Sequence, residues 1–223
     1  MEKMIADEIR KQLKDVFKSL ENPVQILFFG SKLRACEYCE HTYQLLSELA
    51  ELDEKLNLVA HDVDEDPALA SKYNVELVPG IVLAAEDGDE LLDYGVRFAG
   101  IPAGHEFSSL INGIILVSKQ DSGLSKEGRD FLASLSAPVH LQVFVTTSCG
   151  YCPQAVTLAH QMAIESDFVQ AEMVEAMEFS ELANKYHVSG VPHTVINQGE
   201  GELVGAVPEA VLLDELRQLV AVR

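Results

Sequence analysis

The sequence predicts an α/β protein of two tandem halves, each carrying strands and helices in the same order. Three observations lead there. A Cys-x-x-Cys pair occurs twice, as Cys36-Glu37-Tyr38-Cys39 and Cys149-Gly150-Tyr151-Cys152, and these are all four cysteines of the 223-residue chain. A Val-Pro pair follows each at the same distance, with Pro79 40 residues after Cys39 and Pro192 40 residues after Cys152. The flanking sequence repeats as well. Ser19-Leu20-x-x-Pro23-Val24 returns as Ser134-Leu135-x-x-Pro138-Val139 at an offset of 115, and Lys72-Tyr73-x-Val75 returns as Lys185-Tyr186-x-Val188 at an offset of 113. The difference is a two-residue longer loop before Cys36. A period of this length marks a duplicated domain rather than a solenoid unit.

In the first half, Ile5, Ile9, Leu13, Val16, Phe17 and Leu20 recur at helical spacing, which predicts an amphipathic helix over 2–20, stopped by Asn22-Pro23. The apolar run 24–29 predicts a buried strand. A six-residue loop delivers Cys36, and Tyr43, Leu45, Leu46, Leu49 and Leu52 predict a helix over 39–52. A strand over 56–63 follows, then a short helix opened by Asp66-Pro67 and running to Tyr73. After Val78-Pro79 come a strand over 80–85, a turn at Glu86-Asp87-Gly88-Asp89 and a returning strand over 90–96. A helix over 103–117 closes the half. The polar stretch 118–125 places the boundary, giving domains 1–118 and 119–223. The second half then predicts helices near 125–135, 151–165, 178–187 and 208–221, and strands near 139–145, 168–174, 193–198 and 202–206.

A net charge of −20 disfavours phosphate backbones and anionic lipid, so neither nucleic acid nor a membrane surface is an expected partner. No stretch of 18 apolar residues exists, and the charged N-terminus is unlike a signal-peptide core. The expected location is cytoplasmic. Paired Cys-x-x-Cys in such a chain reads as redox or metal chemistry rather than a structural staple. The 109 residues between the pairs argue against one shared zinc site, so no metal is expected.

A Cys-x-x-Cys between the first strand and its helix, with a proline opening a β-hairpin downstream, resembles the thioredoxin fold. Two such units in one chain look like the glutaredoxin-like protein disulfide oxidoreductases of thermophilic archaea and bacteria. The resemblance covers essentially the whole chain. It implies two tandem thioredoxin-fold domains, each a mixed central sheet flanked by helices. It further implies that Cys36 and Cys149 are nucleophiles, that Cys39 and Cys152 resolve the mixed disulfide, and that Pro79 and Pro192 are cis and face the motifs. The chain departs from the pattern in places. Gly150 stands where glutaredoxins carry Pro, no Trp is present, and positions 30 and 143, where thioredoxins hold a buried Asp on the first strand, are Gly and Val. These departures favour the glutaredoxin-like side.

Disulfide exchange needs a thiolate, and a helix N-terminus favours that anion. Glu37 is expected to oppose the thiolate of Cys36, partly offset by Arg34 and Lys32, whereas Gly150 leaves Cys149 the full benefit of the helix end. The peptide groups of Val78 and Val191 are positioned to bond an extended substrate segment. Tyr38 and Tyr151 either cover the first helical turn or touch substrate. His193 reads as a half-buried strand residue near Cys149, and His41 and His160 as surface residues. The expected function is a thiol–disulfide oxidoreductase that reduces, forms or isomerises protein disulfides. It binds no cofactor of its own. With no G-x-G-x-x-G fingerprint, it would draw electrons from a separate NADPH-dependent flavoprotein of the thioredoxin-reductase type. Its partners would be protein disulfides and dithiols, with a peroxiredoxin as a further candidate. The alternatives are an iron–sulfur or zinc carrier, a peptide-binding chaperone, or a dedicated electron donor to a peroxidase.

Overall fold

Each half begins with a helix that the apolar periodicity overextends or matches to within a few residues. In the computed structural model, which describes residues 3–88 and 90–221, α1 spans Asp7–Phe17. Glu2, at the start of the expected opening helix, and Asp89, at the end of the expected turn, lie outside the described residues. Ile5 is buried ahead of α1 because the Glu48 carboxylate accepts the backbone N–H of Met4 and of Ile5 at 2.9 and 3.0 Å, holding this segment in non-helical form. Leu13, Phe17 and Leu20 are buried, but Ile9 and Val16 face solvent. Those two lie seven residues apart, on a stripe beside the one that meets the core.

The rest of the first half follows as β1 (Val24–Gly30), α2 (Cys39–Ala50), β2 (Leu56–Asp62), α3 (Pro67–Lys72), β3 (Gly80–Asp87), β4 (Glu90–Ala99) and α4 (Glu106–Lys119). The start of α3 is set by its sequence: Asp66 accepts the Leu69 N–H at 3.1 Å, and Pro67 occupies the first turn. The second half repeats the order as α5 (Lys126–Ala133), β5 (Val139–Val145), α6 (Cys152–Glu165), β6 (Val169–Glu175), α7 (Ser180–Lys185), β7 (His193–Ile196), β8 (Gly201–Val204) and α8 (Glu209–Ala221).

Within each half the strands run in like order, β2-β1-β3-β4 and β6-β5-β7-β8, with the first strand parallel to the second and antiparallel to the third. The two sheets are continuous. β4 extends past Val96, and its last residues, Val96–Ala99, pair in parallel with Ala171–Val174 of β6, producing one eight-stranded mixed sheet. Gly95 permits this junction, since a Cβ there would lie 2.5 Å from the Val169 carbonyl oxygen, and its φ is +76°.

The junction buries two residues that sequence alone misplaces or overlooks. Arg97 lies under α3 at 3% exposure, its guanidinium forked onto Asp93 at 2.8 and 2.6 Å and its Nε–H donating to the Tyr73 carbonyl at 2.9 Å. His160, expected on the surface, is 1% exposed. The face of α6 that carries it packs on the first half, where its Nε2–H donates to the Arg97 carbonyl at 3.1 Å and its ring meets Phe98 edge-on at 4.9 Å. Burial pushes its pKa down to about 4, so it stays neutral. His41 is exposed, as expected.

Candidate active site

The first Cys-x-x-Cys pair sits where β1 turns into α2. Cys36 and Cys39 are joined as a disulfide with Cα atoms 5.5 Å apart, and both are half-buried. Cys39 is the first helical residue, and Tyr38 caps the helix by its carbonyl, which accepts the Thr42 N–H at 2.8 Å. The longer loop before Cys36 is tied to the segment after β2. Ser31 Oγ donates to Asp64 and accepts the Arg34 N–H at 2.8 Å, and Asp62 accepts the Lys32 N–H at 2.9 Å. The cations expected to offset Glu37 are engaged here instead: Lys32 pairs with Glu65 at 2.6 Å and Arg34 with Asp64 at 3.2 Å. Glu37 itself is exposed. Beneath the pair, Gly30 offers no side chain, and a Cβ there would stand 3.5 Å from Cys39 Sγ.

The second pair sits between β5 and α6. Cys149 and Cys152 are also a disulfide with a Cα separation of 5.5 Å. Here the two sulfurs differ more sharply, Cys149 half-buried and Cys152 fully buried. The backbone N–H of Cys152, at the start of α6, donates to Cys149 Sγ at 3.1 Å. Tyr151 is 76% exposed, and the nearest atom to a Cβ at Gly150 would be His105 Cε1 at 4.0 Å. Pro153 occupies the first turn of α6.

Both Val-Pro bonds are cis. Each proline carbonyl is held in the same way, Pro79 O accepting the Gly100 N–H and Pro192 O accepting the Gly205 N–H, both at 2.8 Å. The next residue, His193, is buried with its Nε2 3.3 Å from Glu202 on β8, so its ring is turned toward the sheet edge.

The loop leading to the second centre meets the first half at the junction. The Thr147 carbonyl, two residues before Cys149, accepts the His105 N–H at 2.9 Å at the head of α4. Gly104 (φ +59°) allows this approach, because a Cβ there would collide with that carbonyl oxygen at 2.2 Å. A cavity of about 630 Å³ opens between the first pair and the second half, lined by Cys36, Tyr38 and Val78 on one side and by Thr147, Met177 and Glu178 on the other.

Two carboxyl groups near these centres escaped the sequence reading. Glu106 follows His105, is fully buried, accepts from Ser109 Oγ at 2.6 Å through Oε2, and leaves Oε1 without a hydrogen bond. Burial pushes its pKa up to about 7. The signal was present: Glu106 lies four residues before Leu110 on the apolar face of its helix. Glu178 is half-buried and accepts the Ile101 N–H at 2.6 Å, across the junction. No local pattern announces it. Among the described residues, no group of three or more His, Cys, Asp or Glu is placed to hold a metal ion, and no helix is long and apolar enough to cross a membrane.

Two thioredoxin folds joined through one sheet, each with a disulfide-forming Cys-x-x-Cys and a cis Val-Pro bond, define a double-headed dithiol–disulfide protein. A family model described as a thioredoxin domain matches residues 139–220. The crystal structure of a protein disulfide oxidoreductase from Aeropyrum pernix K1 superposes with a TM-score of 0.88 at 33% identity, covering 98% of this chain and 94% of that one. The chain belongs to this family of two-fold protein disulfide oxidoreductases. The N-terminal domain of alkylhydroperoxide reductase AhpF from Enterococcus faecalis superposes with a TM-score of 0.85 at 28% identity, over 94% of this chain and 98% of that domain. The F component of alkyl hydroperoxide reductase from Staphylococcus aureus is 25% identical over 197 residues, which are 88% of this chain and 35% of the relative. The chain thus spans about a third of the length of the curated relatives it matches.

Proposed function

We propose that the protein is a thiol–disulfide oxidoreductase whose two centres exchange electrons with disulfides of other proteins. The observation that carries this is the pairing, twice over, of a half-buried first cysteine with a second cysteine at bonding distance, in a half that also holds a cis Val-Pro bond. In the reducing direction, the Cys149 thiolate attacks a substrate disulfide, forming a mixed disulfide and releasing one substrate thiolate. Cys152 then attacks Cys149 Sγ, restoring the Cys149–Cys152 disulfide and releasing the second substrate thiol. The N–H aimed at Cys149 Sγ favours the attacking anion, and burial reserves Cys152 for the internal step. Glu106, buried at the head of the helix that meets the second motif, is the carboxyl proposed to take the proton that Cys152 gives up. Cys36 and Cys39 have the same roles in the first centre, with Val78 and Val191 offering peptide groups to an extended substrate and Tyr38 and Tyr151 flanking it.

The electrons are proposed to come from a separate NADPH-dependent flavoprotein of the thioredoxin-reductase type, with the cytoplasm as the site of action. A second reading, electron donor to a peroxidase of the peroxiredoxin kind, is favoured by the likeness to the alkyl hydroperoxide reductase F component across most of this chain. Insulin disulfide reduction with dithiothreitol tests the first reading. Turnover is expected in the wild type and its loss in Cys149→Ser. An inactive wild type would sink it, and peroxide reduction with a peroxiredoxin in place of insulin would then decide for the second.

A further inference from the structure

The cavity beside the first dithiol is asymmetric in its charged groups. Those lining it are Glu37, Glu175 and Glu178, and no cation stands among its described lining residues. Glu37 lines the cavity while remaining exposed to solvent. Glu175 is buried and committed to its own loop, its Oε2 accepting the N–H groups of Met177 and Glu178 at 2.8 and 2.7 Å. Glu178 is differently placed. Its Oε1 reaches across to the Ile101 N–H of the first half, immediately after Gly100, which holds the Pro79 carbonyl. A Cβ at position 100 would lie 2.8 Å from that same Oε1, so Glu178 arrives only because this residue is glycine. From below, the first half presents Gly30 under Cys39 rather than a titratable group.

We infer that Glu178, delivered by the second half, is the proton-exchanging positioning residue of the first dithiol. The inference rests on that dithiol being redox-active, as proposed above. Reduction by a dithiol reductant breaks the Cys36–Cys39 bond and oxidises the reductant to its disulfide. Two electrons and two protons reach the pair, and the proton that Cys36 then loses to become a thiolate passes to the Glu178 carboxylate. Burial, together with the facing carboxylates Glu175 and Glu37, pushes Glu178 up to about 7, against the Ile101 N–H, which favours its ionised form. Near neutral pH the residue is therefore poised to exchange a proton, and its charge and that of the Cys36 thiolate oppose each other.

The test uses the full chain with Cys149→Ser and Cys152→Ser, reduced with dithiothreitol, and follows iodoacetamide alkylation of Cys36 from pH 5 to 9. With Glu178 present, the rate should rise with pH over a broadened range. Adding Glu178→Gln should give a single-proton curve shifted down by about half a unit to one unit, so roughly three- to tenfold faster alkylation on its acid limb. An unchanged midpoint and shape would overturn the inference, even if the variant melts at a lower temperature, since a structural role alone moves only the melt. A second measurement needs no Glu178 variant: the redox-difference infrared spectrum at pH 7 should show a carboxyl C=O band gained on reduction, and its absence would also overturn the inference. A Cys36–Cys39 pair that neither forms nor loses its disulfide would instead overturn the redox reading of the first centre, and this inference with it.

Discussion

At the scale of single residues, the two nucleophiles are set apart by what surrounds their sulfurs. Cys149 receives the N–H of Cys152 at 3.1 Å and has only Gly150 beside it. Cys36 is followed by the exposed carboxylate of Glu37, and the nearby cations Lys32 and Arg34 are already paired with Glu65 and Asp64. A charge-assisted N–H to sulfur lowers a thiol pKa and an adjacent carboxylate raises it. Cys149 should therefore be alkylated at lower pH than Cys36, by about one unit, which is roughly tenfold in thiolate at neutral pH. Iodoacetamide kinetics on the reduced Cys36→Ser and Cys149→Ser variants check this, and a lower midpoint for Cys36 would refute it. The cysteines and both Val-Pro pairs were legible in the sequence because local spacing encodes them. The state of Arg34 was not, since the carboxylate that neutralises it comes from a loop 30 residues away.

At the scale of elements, the head of α4 and the loop before α6 act as one unit. Gly104 adopts a φ of +59° against the Thr147 carbonyl, whose other partner in this contact is the His105 N–H. Gly104→Ala adds a methyl that meets backbone at 2.2 Å and must displace the loop carrying Cys149. The expected result is a loss of about 1–3 kcal/mol in stability, combining backbone strain with the displaced contact. Turnover at the second centre should fall in parallel. Gly150→Ala is the control, because its Cβ would meet nothing closer than 4.0 Å, and it should leave the melting temperature nearly unchanged. Urea unfolding and insulin reduction on both variants decide the matter, and equal behaviour of the two would contradict it. The order of elements was readable from periodicity, as the buried runs at 24–30 and 139–145 show. The β4–β6 junction was not, because the pairing of Val96–Ala99 with Ala171–Val174 is tertiary. The burial of His160 followed from that junction and was missed with it.

At the scale of the whole molecule, joining two sheets edge to edge encloses ionisable groups that a single fold would leave wet. Glu172, the register neighbour of Arg97 across the junction, is 8% exposed with its carboxylate accepting from Gln142 at 2.9 Å, and burial pushes it up to about 7, as it does Glu106. For such acids the folded state holds its proton more tightly than the unfolded chain. Their stabilisation is fully present below the ordinary carboxyl pKa of 4.5 and is lost as pH rises through about 7. His160 acts in the opposite sense. With its pKa lowered from 6.5 to about 4, its stabilisation is present above 6.5 and is lost as pH falls through 4. Between pH 7 and 5 the three raised carboxyls, Glu106, Glu172 and Glu178, outweigh His160 and the likewise lowered His140, so lowering the pH should add about 3 kcal/mol. For a chain of this size that is roughly 5–10 °C in melting temperature. Below about pH 4 the trend should reverse, because Asp93 and Glu48, held below the ordinary carboxyl range by the partners of their ionised forms, then take up protons. Calorimetry from pH 4 to 8 on the oxidised protein reads this directly. Glu106→Gln combined with Glu172→Gln should remove most of the rise between pH 7 and 5, since Glu178 alone is then left to work against His160 and His140. A melting temperature that climbs steadily toward pH 8 would show that the junction does not hold these carboxyls in their neutral form.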